Sequence, residues 1–463
     1  MQSLLDAIIN FSNWLWGIPM LVILVGGSLF LTIRLGFVQF RYFGYAMKQT
    51  FGKMFKKQDK GEGTISAFQA ASAALASAIG ASNIVGVPVA IAFGGPGAVF
   101  WMWVIALVGA GAKFSEVVLG IKYRVLNEEG EYVGGPMYFL KNGVGGTFGK
   151  ILGVLFSFFL MIELIPSIAT QSASFVQTAT TINMPSWLSG VLLATVVALV
   201  VFGGIKRIGN VTEKLVPFMA LLYVIGALAI IIVNITELPN ALAVIFKHAF
   251  TPMAAVGGFT GSTIAAAIRW GTARGVYSNE SGMGTAPIAH AAAVTDHPVR
   301  QAMWGIFENV VDTLIVCTAT GLVVIITGVY LNIPASEAAT MPSLAFQTLL
   351  GANLGSIIVT IAIALFVLST IIVIVYYGEK QAEYLFNTKF SKVMRIVYLL
   401  SILAGAFGGL EFLYQFLDIM LALIIIPNMI GLVMLSGEVR DLKNEFFSNP
   451  ELYEKAKPKK STT

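Results

Sequence analysis

Chemistry in this 463-residue chain has to come from polar side chains set into apolar runs, because 57% of its residues are hydrophobic and only 11% are charged. One such place is Ser72-Ala73-Ala74-Leu75-Ala76-Ser77-Ala78-Ile79-Gly80-Ala81-Ser82-Asn83, small and polar through the middle of an otherwise apolar segment. A second reads Trp270-Gly271-Thr272-Ala273-Arg274-Gly275 and then Ser278-Asn279-Glu280-Ser281-Gly282-Met283-Gly284. Single charges also fall inside apolar runs, where each costs at least ~2.5 kcal/mol unless it meets a partner or a cavity. Glu163 and Arg269 lie at similar estimated depth, and a mutual ion pair is expected. Lys113 with Glu116 and Glu308 with Asp312 have i,i+3 and i,i+4 helical spacing, where local pairing or snorkelling suffices. Asp312 is also a candidate to carry a coupling proton.

Enzyme chemistry finds little support in these residues. Ser281 stands in a Glu-Ser-Gly context with His290 nine residues later, which raises an intramembrane protease as a rival reading. The serine lacks a glycine two residues earlier, and no base is visibly placed against it. His248, His290 and His297 are scattered, and Cys317 is the single cysteine. Internal disulfides and thiolate metal clusters are therefore excluded.

The elements that position these residues are membrane helices. Apolar stretches of the length a helix needs to cross hydrocarbon occur at roughly 14 to 33, 65 to 92, 97 to 120, 151 to 180, 187 to 205, 215 to 234, 257 to 292, 299 to 328, 353 to 376, 395 to 409 and 412 to 435. None alternates with the period of a membrane β-barrel strand. The expected fold class is an all-α polytopic membrane protein with about eleven transmembrane helices. The first Lys or Arg is Arg34, so the first span lacks the basic start of a signal peptide and reads as a retained helix.

A net charge of +5 in a soluble protein would suggest nucleic acid; here the basic residues fall in alternate loops and report topology. They cluster in Arg34 through Lys60, Lys122 through Lys150, Lys206 through Lys214, Arg300, Lys380 through Arg395 and the tail after Arg440, whereas the opposite loops hold essentially Lys247 alone. The positive-inside rule then predicts an outside N-terminus and a cytoplasmic C-terminus in the cell membrane. Setting the first helix aside leaves two groups of five spans entering from opposite sides, an inverted repeat. The chain divides into an N-terminal helix and basic loop (1–64), a first repeat (65–234), an extracellular connection (235–256), a second repeat (257–435) and a cytoplasmic tail (436–463).

Both repeats begin with an abnormal segment, each expected to be unwound at mid-membrane. Open backbone in hydrocarbon leaves N–H and C=O groups unpaired at several kcal/mol each, so it is tolerated only where it lines a cavity. Transporters use the freed groups as ligands: half-helix N-termini attract carboxylates, and freed carbonyls attract cations. Small residues at helix seams are the plainer explanation for the Ala-rich run. A passive channel is a further rival, but binding sites at mid-membrane within inverted repeats favour alternating access.

The block Gly94-Gly95-Pro96-Gly97-Ala98-Val99-Phe100-Trp101-Met102-Trp103 resembles the signature of the alanine or glycine:cation symporter family. Further matches in family order are Arg34-Leu35-Gly36-Phe37, Gly134-Gly135-Pro136-Met137-Tyr138-Phe139-Leu140, Gly203-Gly204-Ile205-Lys206, Arg274-Gly275-Val276-Tyr277-Ser278-Asn279-Glu280, Thr295-Asp296-His297-Pro298 and Tyr376-Tyr377-Gly378-Glu379-Lys380. The resemblance implies a leucine-transporter-type fold, with one extra N-terminal helix before a five-plus-five inverted repeat. It also implies symport of a small neutral amino acid with Na⁺ or H⁺, and no enzymatic activity. Carried over by position, Gly80, Ala81, Ser82 and Asn83 would meet the substrate carboxylate, and Gln171 and Trp270 match pocket positions. Ser369 and Thr370 would offer hydroxyls to a Na⁺ that also takes carbonyls from Ala76 and Ile79, an all-oxygen shell suited to a hard ion. Without the resemblance, adjacent Ser and Thr would simply bond back to a carbonyl one turn earlier.

Departures from the family pattern fall at the same site. The usual Gly-Thr-Gly-Asn break is Gly80-Ala81-Ser82-Asn83 here, Ala78 stands where Thr is common, and Ile374 occupies a position often taken by Trp. Thr370 and Ile374 are one helical turn apart and share a face. Replacing Trp by Ile frees volume, so a substrate larger than alanine or glycine, such as glutamine, is expected. The altered break puts the coupling ion, Na⁺ or H⁺, in question.

Overall fold

A computed structural model describes residues 10–54, 61–180, 183–407 and 412–454, with side chains from 417 to 453 in the last segment. Almost all of this is helical. Among the described residues, eight helices are long and apolar enough to cross a membrane, or nine when the bent pair Ala67–Ala78 and Ser82–Gly94 counts as one. The principal helices are α1 (Asn10–Arg34), α2 (Ala67–Ala78), α3 (Ser82–Gly94), α4 (Gly97–Lys122), α5 (Gly146–Thr180), α6 (Ser186–Val201) and α7 (Gly204–Val233). Their continuation is α8 (Leu238–Phe250), α9 (Ile264–Asn279), α10 (Ala286–His290), α11 (Pro298–Ile326), α12 (Met341–Leu385), α13 (Thr388–Phe407), α14 (Phe412–Met434) and α15 (Ser436–Ser448).

The two remaining expected spans are present as helices that fall short in length or apolarity. One is α6, with 16 residues; the other is the discontinuous pair α9 and α10, whose polar residues depress its hydropathy. Boundaries moved most where charges decorate helix ends. The span expected from 215 begins at Gly204, because Lys206 through Lys214 are helical, and the span expected at 353 to 376 is the 45-residue α12, bent at Gly351. The connection expected at 235–256 carries α8. Lys60 and the tail beyond Glu454 lie outside the described residues, while α15 is fixed beneath the bundle by a Tyr42–Phe447 ring stack at 3.5 Å and a Lys443 Nζ bond to Leu35 O at 2.8 Å.

The first broken helix starts sharply because Ser66 and Gln69 form a reciprocal capping box at the N-terminus of α2. Ten of its twelve residues are buried, mostly alanines that let neighbouring helices approach. It stops at Ile79, whose ψ of 83° is not helical, and α3 resumes through a π-helical turn at Ser82–Gly86 with a 46° bend.

The second break is narrower than expected. Trp270 through Gly275 stays helical: a Cβ added at Gly271 would fall 2.4 Å from Ala98 O, and one at Gly275 2.5 Å from Ile105 Cγ2. Those glycines, four apart, form a close seam with α4. Unwinding occurs only from Glu280 to Thr285, where Glu280 (φ 55°), Gly282 (φ 87°) and Gly284 (φ 82°) take left-handed backbone. A non-glycine residue in that region is held there only by its surroundings.

Those surroundings come from α4. Lys113 Nζ donates to Asn279 O (2.7 Å) at the C-terminal end of α9, and Glu116 Oε1 accepts from Gly284 N (2.9 Å) just before α10. The two charges therefore complement the opposite dipole ends of the two half-helices. Their expected local pairing is corrected accordingly. Lys113 also faces Glu308 across helices at 3.1 Å with both side chains fully buried, and Asp312 points away toward Asn83. Removing the cation leaves a buried carboxylate uncompensated, so Lys113→Met is expected to lower stability by about 3–5 kcal/mol. Thermal unfolding in detergent measures this, and adding Glu308→Gln should recover part of the loss.

Candidate substrate and ion site

The two breaks lie side by side. Ser77 at the end of α2 donates to Glu280 Oε2 (3.1 Å), and Thr285 donates to the same oxygen at 2.7 Å. Tyr377 of α12 bonds Ser77 at 3.1 Å, so three helices meet at one carboxylate. Asn83 Nδ2 donates to Ser278 Oγ (3.1 Å) and, through a short bond, to Asp312 Oδ1. Asp312 Oδ2 accepts from Ser278 Oγ and Thr313 Oγ1, each at 2.8 Å.

At the first break the freed backbone groups are met by side chains. Gly80 N donates to Asn83 Oδ1 (3.0 Å), and Ala81 N to Gln171 Oε1 (3.2 Å) from α5. Thr370 Oγ1 on α12 lies 2.9 Å from Ala76 O and 3.4 Å from Ile79 O. Ser369, its neighbour, instead donates back to Phe366 O at 2.9 Å and lies 3.3 Å from Met219 Sδ. Of the adjacent hydroxyls, one bonds back along its own helix and the other reaches across to the break.

A cavity of about 320 Å³ opens over this break, bounded by Ala81, Ser82, Gln171, Tyr277, Arg274 and Asp418. Ser12 and Asn13 of α1 line its mouth, so the additional first helix takes part in the site. Arg274 lies over the rings of Trp270 (5.3 Å) and Tyr277 (5.9 Å), and its Nε has no hydrogen-bond partner among the described residues. Trp270 stacks on Phe93 (4.8 Å) and bounds a side recess with Arg269 and Asp418, above the cavity that Gln171 lines. Beneath the break, a recess of about 30 Å³ is lined by Glu163, Ser167, Glu280, Thr370 and Ile374, and shares Ser82, Gln171 and Tyr277 with the large cavity.

The expected Glu163–Arg269 pair is not formed. Arg269 donates to Asn13 Oδ1 (2.7 Å) and has Asp418 as its nearby acid, at the mouth, whereas Glu163 is buried beside Ser167 and Glu280 in the inner recess. Sequence reasoning singled out neither Tyr277 nor Asp418. The available signals were the Arg274 to Glu280 string and an acid one residue after Leu417 in an apolar span.

Away from Asn13, Arg124 donates to Ala291 O (3.1 Å), Ala293 O (2.7 Å) and Glu62 O (2.6 Å), tying the entry of α2 to the exit of α10.

A model described as the sodium:alanine symporter family matches residues 1–461. The chain belongs to that family. It is 49% identical over 455 residues to the uncharacterized transporter YflA of Bacillus subtilis, covering 98% of this chain and 96% of that one. It is 42% identical over 433 residues to the sodium/alanine symporter AgcS of Methanococcus maripaludis, covering 92% and 94%. Among solved structures it resembles MhsT in complex with L-phenylalanine, with a TM-score of 0.59 at 14% identity, covering 85% of this chain and 98% of that one. The fold is of the leucine-transporter type, and the chain is a multi-pass amino acid transporter. The family and its structural neighbours are transporters, not enzymes, which removes the protease reading. Ser281 Oγ faces Asn309, and His290 bonds Glu308 and Gln301 instead.

Gly80 sits where no side chain fits: an added Cβ would lie 2.7 Å from Thr370 Oγ1 and 3.0 Å from Gln171 Nε2. Gly80→Ala is expected to cut amino acid uptake at least about tenfold through misplacement of those two groups. Uptake per molecule of membrane-inserted protein is the measurement.

Proposed function

We propose that this protein is a secondary active symporter that couples uptake of a small neutral amino acid to Na⁺ influx by alternating access. The observation that carries this reading is Thr370 Oγ1 lying against both Ala76 O and Ile79 O. Three oxygens converge at the C-terminal end of α2, where the helix dipole adds negative potential. Na⁺ seated there would replace the hydroxyl proton as partner of the carbonyls. Ser369 joins the shell after a rotation of its hydroxyl away from Phe366 O.

The substrate carboxylate is assigned to the break itself. Gln171 Oε1 now accepts from Ala81 N, as a carboxylate oxygen would, so binding exchanges one acceptor for another. The Gln171 Nε2 amide, which takes no part in that bond, can donate to the carboxylate. Ser82 and Arg274 line the same cavity, Asn83 braces the break through Gly80 N, and Trp270 lies against Arg274 at the neighbouring side recess. Ile374 bounds the inner recess, and its small size relative to Trp supports substrates beyond alanine and glycine, such as glutamine. The loop charges support an outside N-terminus and a cytoplasmic C-terminus in the cell membrane. The cavity then faces outward and the Arg124 bonds face the cytoplasm. The division into repeats at 65–234 and 257–435 supports a rocking motion of one set of helices against the other.

A proton-coupled symporter is the second reading, favoured by the buried carboxylates Glu163, Glu280 and Asp312 around the breaks. Uptake of labelled alanine into proteoliposomes under separately imposed Na⁺ and H⁺ gradients decides between them. Saturable uptake driven by Na⁺ is expected, and Thr370→Ala should raise the Na⁺ concentration for half-maximal rate about tenfold, the loss of one hydroxyl ligand to a charge. Uptake driven by H⁺ and indifferent to Na⁺ would overturn Na⁺ coupling, and unsaturable flux independent of either gradient would overturn symport.

Ile374→Trp should fill the inner recess. Inhibition of alanine uptake by glutamine is then expected to weaken more than inhibition by glycine, as read from competition curves.

A further inference from the structure

We propose that the inner recess is a side-chain compartment of the substrate site. Glu163 is its polar end, selecting amino acids whose side chain terminates in a hydrogen-bond donor. The inference rests on the functional reading above and names the specificity of that same site.

Position comes first. The recess lies under the break that would hold the carboxylate, and it shares the wall residues Ser82, Gln171 and Tyr277 with the large cavity, so that only side chains stand between the two. Its volume of about 30 Å³ accommodates roughly two water-sized groups. That is room for an amide or a hydroxyl on a short stem.

Chemistry comes second. Glu163 is buried at 3% exposure in the middle of α5. It has no Lys, Arg or His within ion-pair distance among the described residues, and Ser167, one turn along, lines the recess beside it. A carboxyl group offers acceptor lone pairs whether or not it carries a proton. Glu280, the other acid at the recess, is already met by Ser77 and Thr285, so its oxygens are committed to holding the break. Leu164, Met283, Ile374 and Leu421 supply the apolar wall, and Ser82, Gln171, Tyr277 and Thr370 stand on the side shared with the break. Glu163 therefore lines the recess as an acid without a cation, with acceptor capacity that a ligand side chain can meet.

An apolar side chain of similar length would leave those acceptors unmet in a dry recess, which is the situation in which a site discriminates strongly between isosteres. Glutamine and methionine make the comparison, since they have similar length and differ in the donor. Serine supplies a hydroxyl and lysine an ammonium, so the same experiment separates the three donor types.

Inhibition of labelled alanine uptake by these four amino acids should be measured in proteoliposomes under a Na⁺ gradient, for the parent chain and for Glu163→Gln and Glu163→Leu. In the parent, glutamine is expected to inhibit at least about tenfold more strongly than methionine, the worth of one hydrogen bond to a charged group. In Glu163→Leu that ratio should fall close to one, with Glu163→Gln between. Lysine as the strongest inhibitor would support the compartment while assigning it to ammonium side chains. Equal inhibition by glutamine and methionine in the parent would overturn the proposal without any variant. So would an unchanged ratio in Glu163→Leu, read by direct binding to the purified protein if that variant does not transport. Absence of gradient-driven alanine uptake by the parent would defeat the functional reading and the compartment with it, whereas uptake without donor preference defeats the compartment alone.

Discussion

Every backbone N–H and C=O exposed by breaking a helix inside a bundle must find a partner in the protein or in a cavity that it lines, and this requirement governs the arrangement of the whole core. Two breaks lie next to each other, so the demand is concentrated in one small volume. At the second break it is met mainly by one neighbouring helix, α4. Lys113 takes the last carbonyl of α9, and Glu116 takes the first amide before α10, one turn apart on α4. Asn428 of α14 completes the set by donating to Gly282 O at 2.8 Å and to Glu116 Oε1 at 2.6 Å. All three side chains are buried and the Lys113 and Glu116 bonds are charge-assisted, which ties that break firmly to the frame.

The first break is met differently. Its amides are covered by the neutral side chains of Asn83 and Gln171 and its carbonyls by one threonine hydroxyl, at 2.9 to 3.4 Å. Neutral hydrogen bonds are worth about half as much as charge-assisted ones, so exchanging them for a carboxylate or a cation is favourable in a way that displacing Lys113 would not be. The asymmetry between the breaks follows from which side chains serve them. One is held by ions and braces the bundle; the other is held by groups that a ligand can replace. Asn83 joins the two through Ser278 and Asp312, so a change at the exchangeable break is felt at the braced one.

Much of this was legible in the sequence, and the misses have identifiable causes. Spans follow from hydropathy because lipid demands it, and both breaks followed from small and polar residues that a lipid-facing helix would not carry. The extent of the second break was overestimated because Gly271 and Gly275 serve a close seam with α4, and glycine spacing looks the same whether a helix is packed or unwound. The Glu163–Arg269 pairing failed because depth was read from span boundaries that shift by several residues, and α9 starts at Ile264, placing Arg269 in its second turn near the mouth. Lys113 and Glu116 look like a local helical pair by spacing. Only the fold shows that their real partners are the ends of another helix, because that depends on which face of α4 meets α9.

The position of Glu163 shows why an unpaired charge persists in such a core. A buried carboxylate without a cation destabilises the fold unless something recovers the cost, and apolar replacement would be the simpler solution for packing. Its neighbours do not recover it: no basic side chain pairs with it among the described residues, and the acid across the recess is already engaged. Nor is the residue braced in the manner of Lys113, which has both a carbonyl and a carboxylate within 3.1 Å. What distinguishes its surroundings is the recess, which shares a wall with the cavity over the exchangeable break. An acid without a cation stands where a ligand side chain has space beside it, whereas the buried acid Glu308 is paired with Lys113.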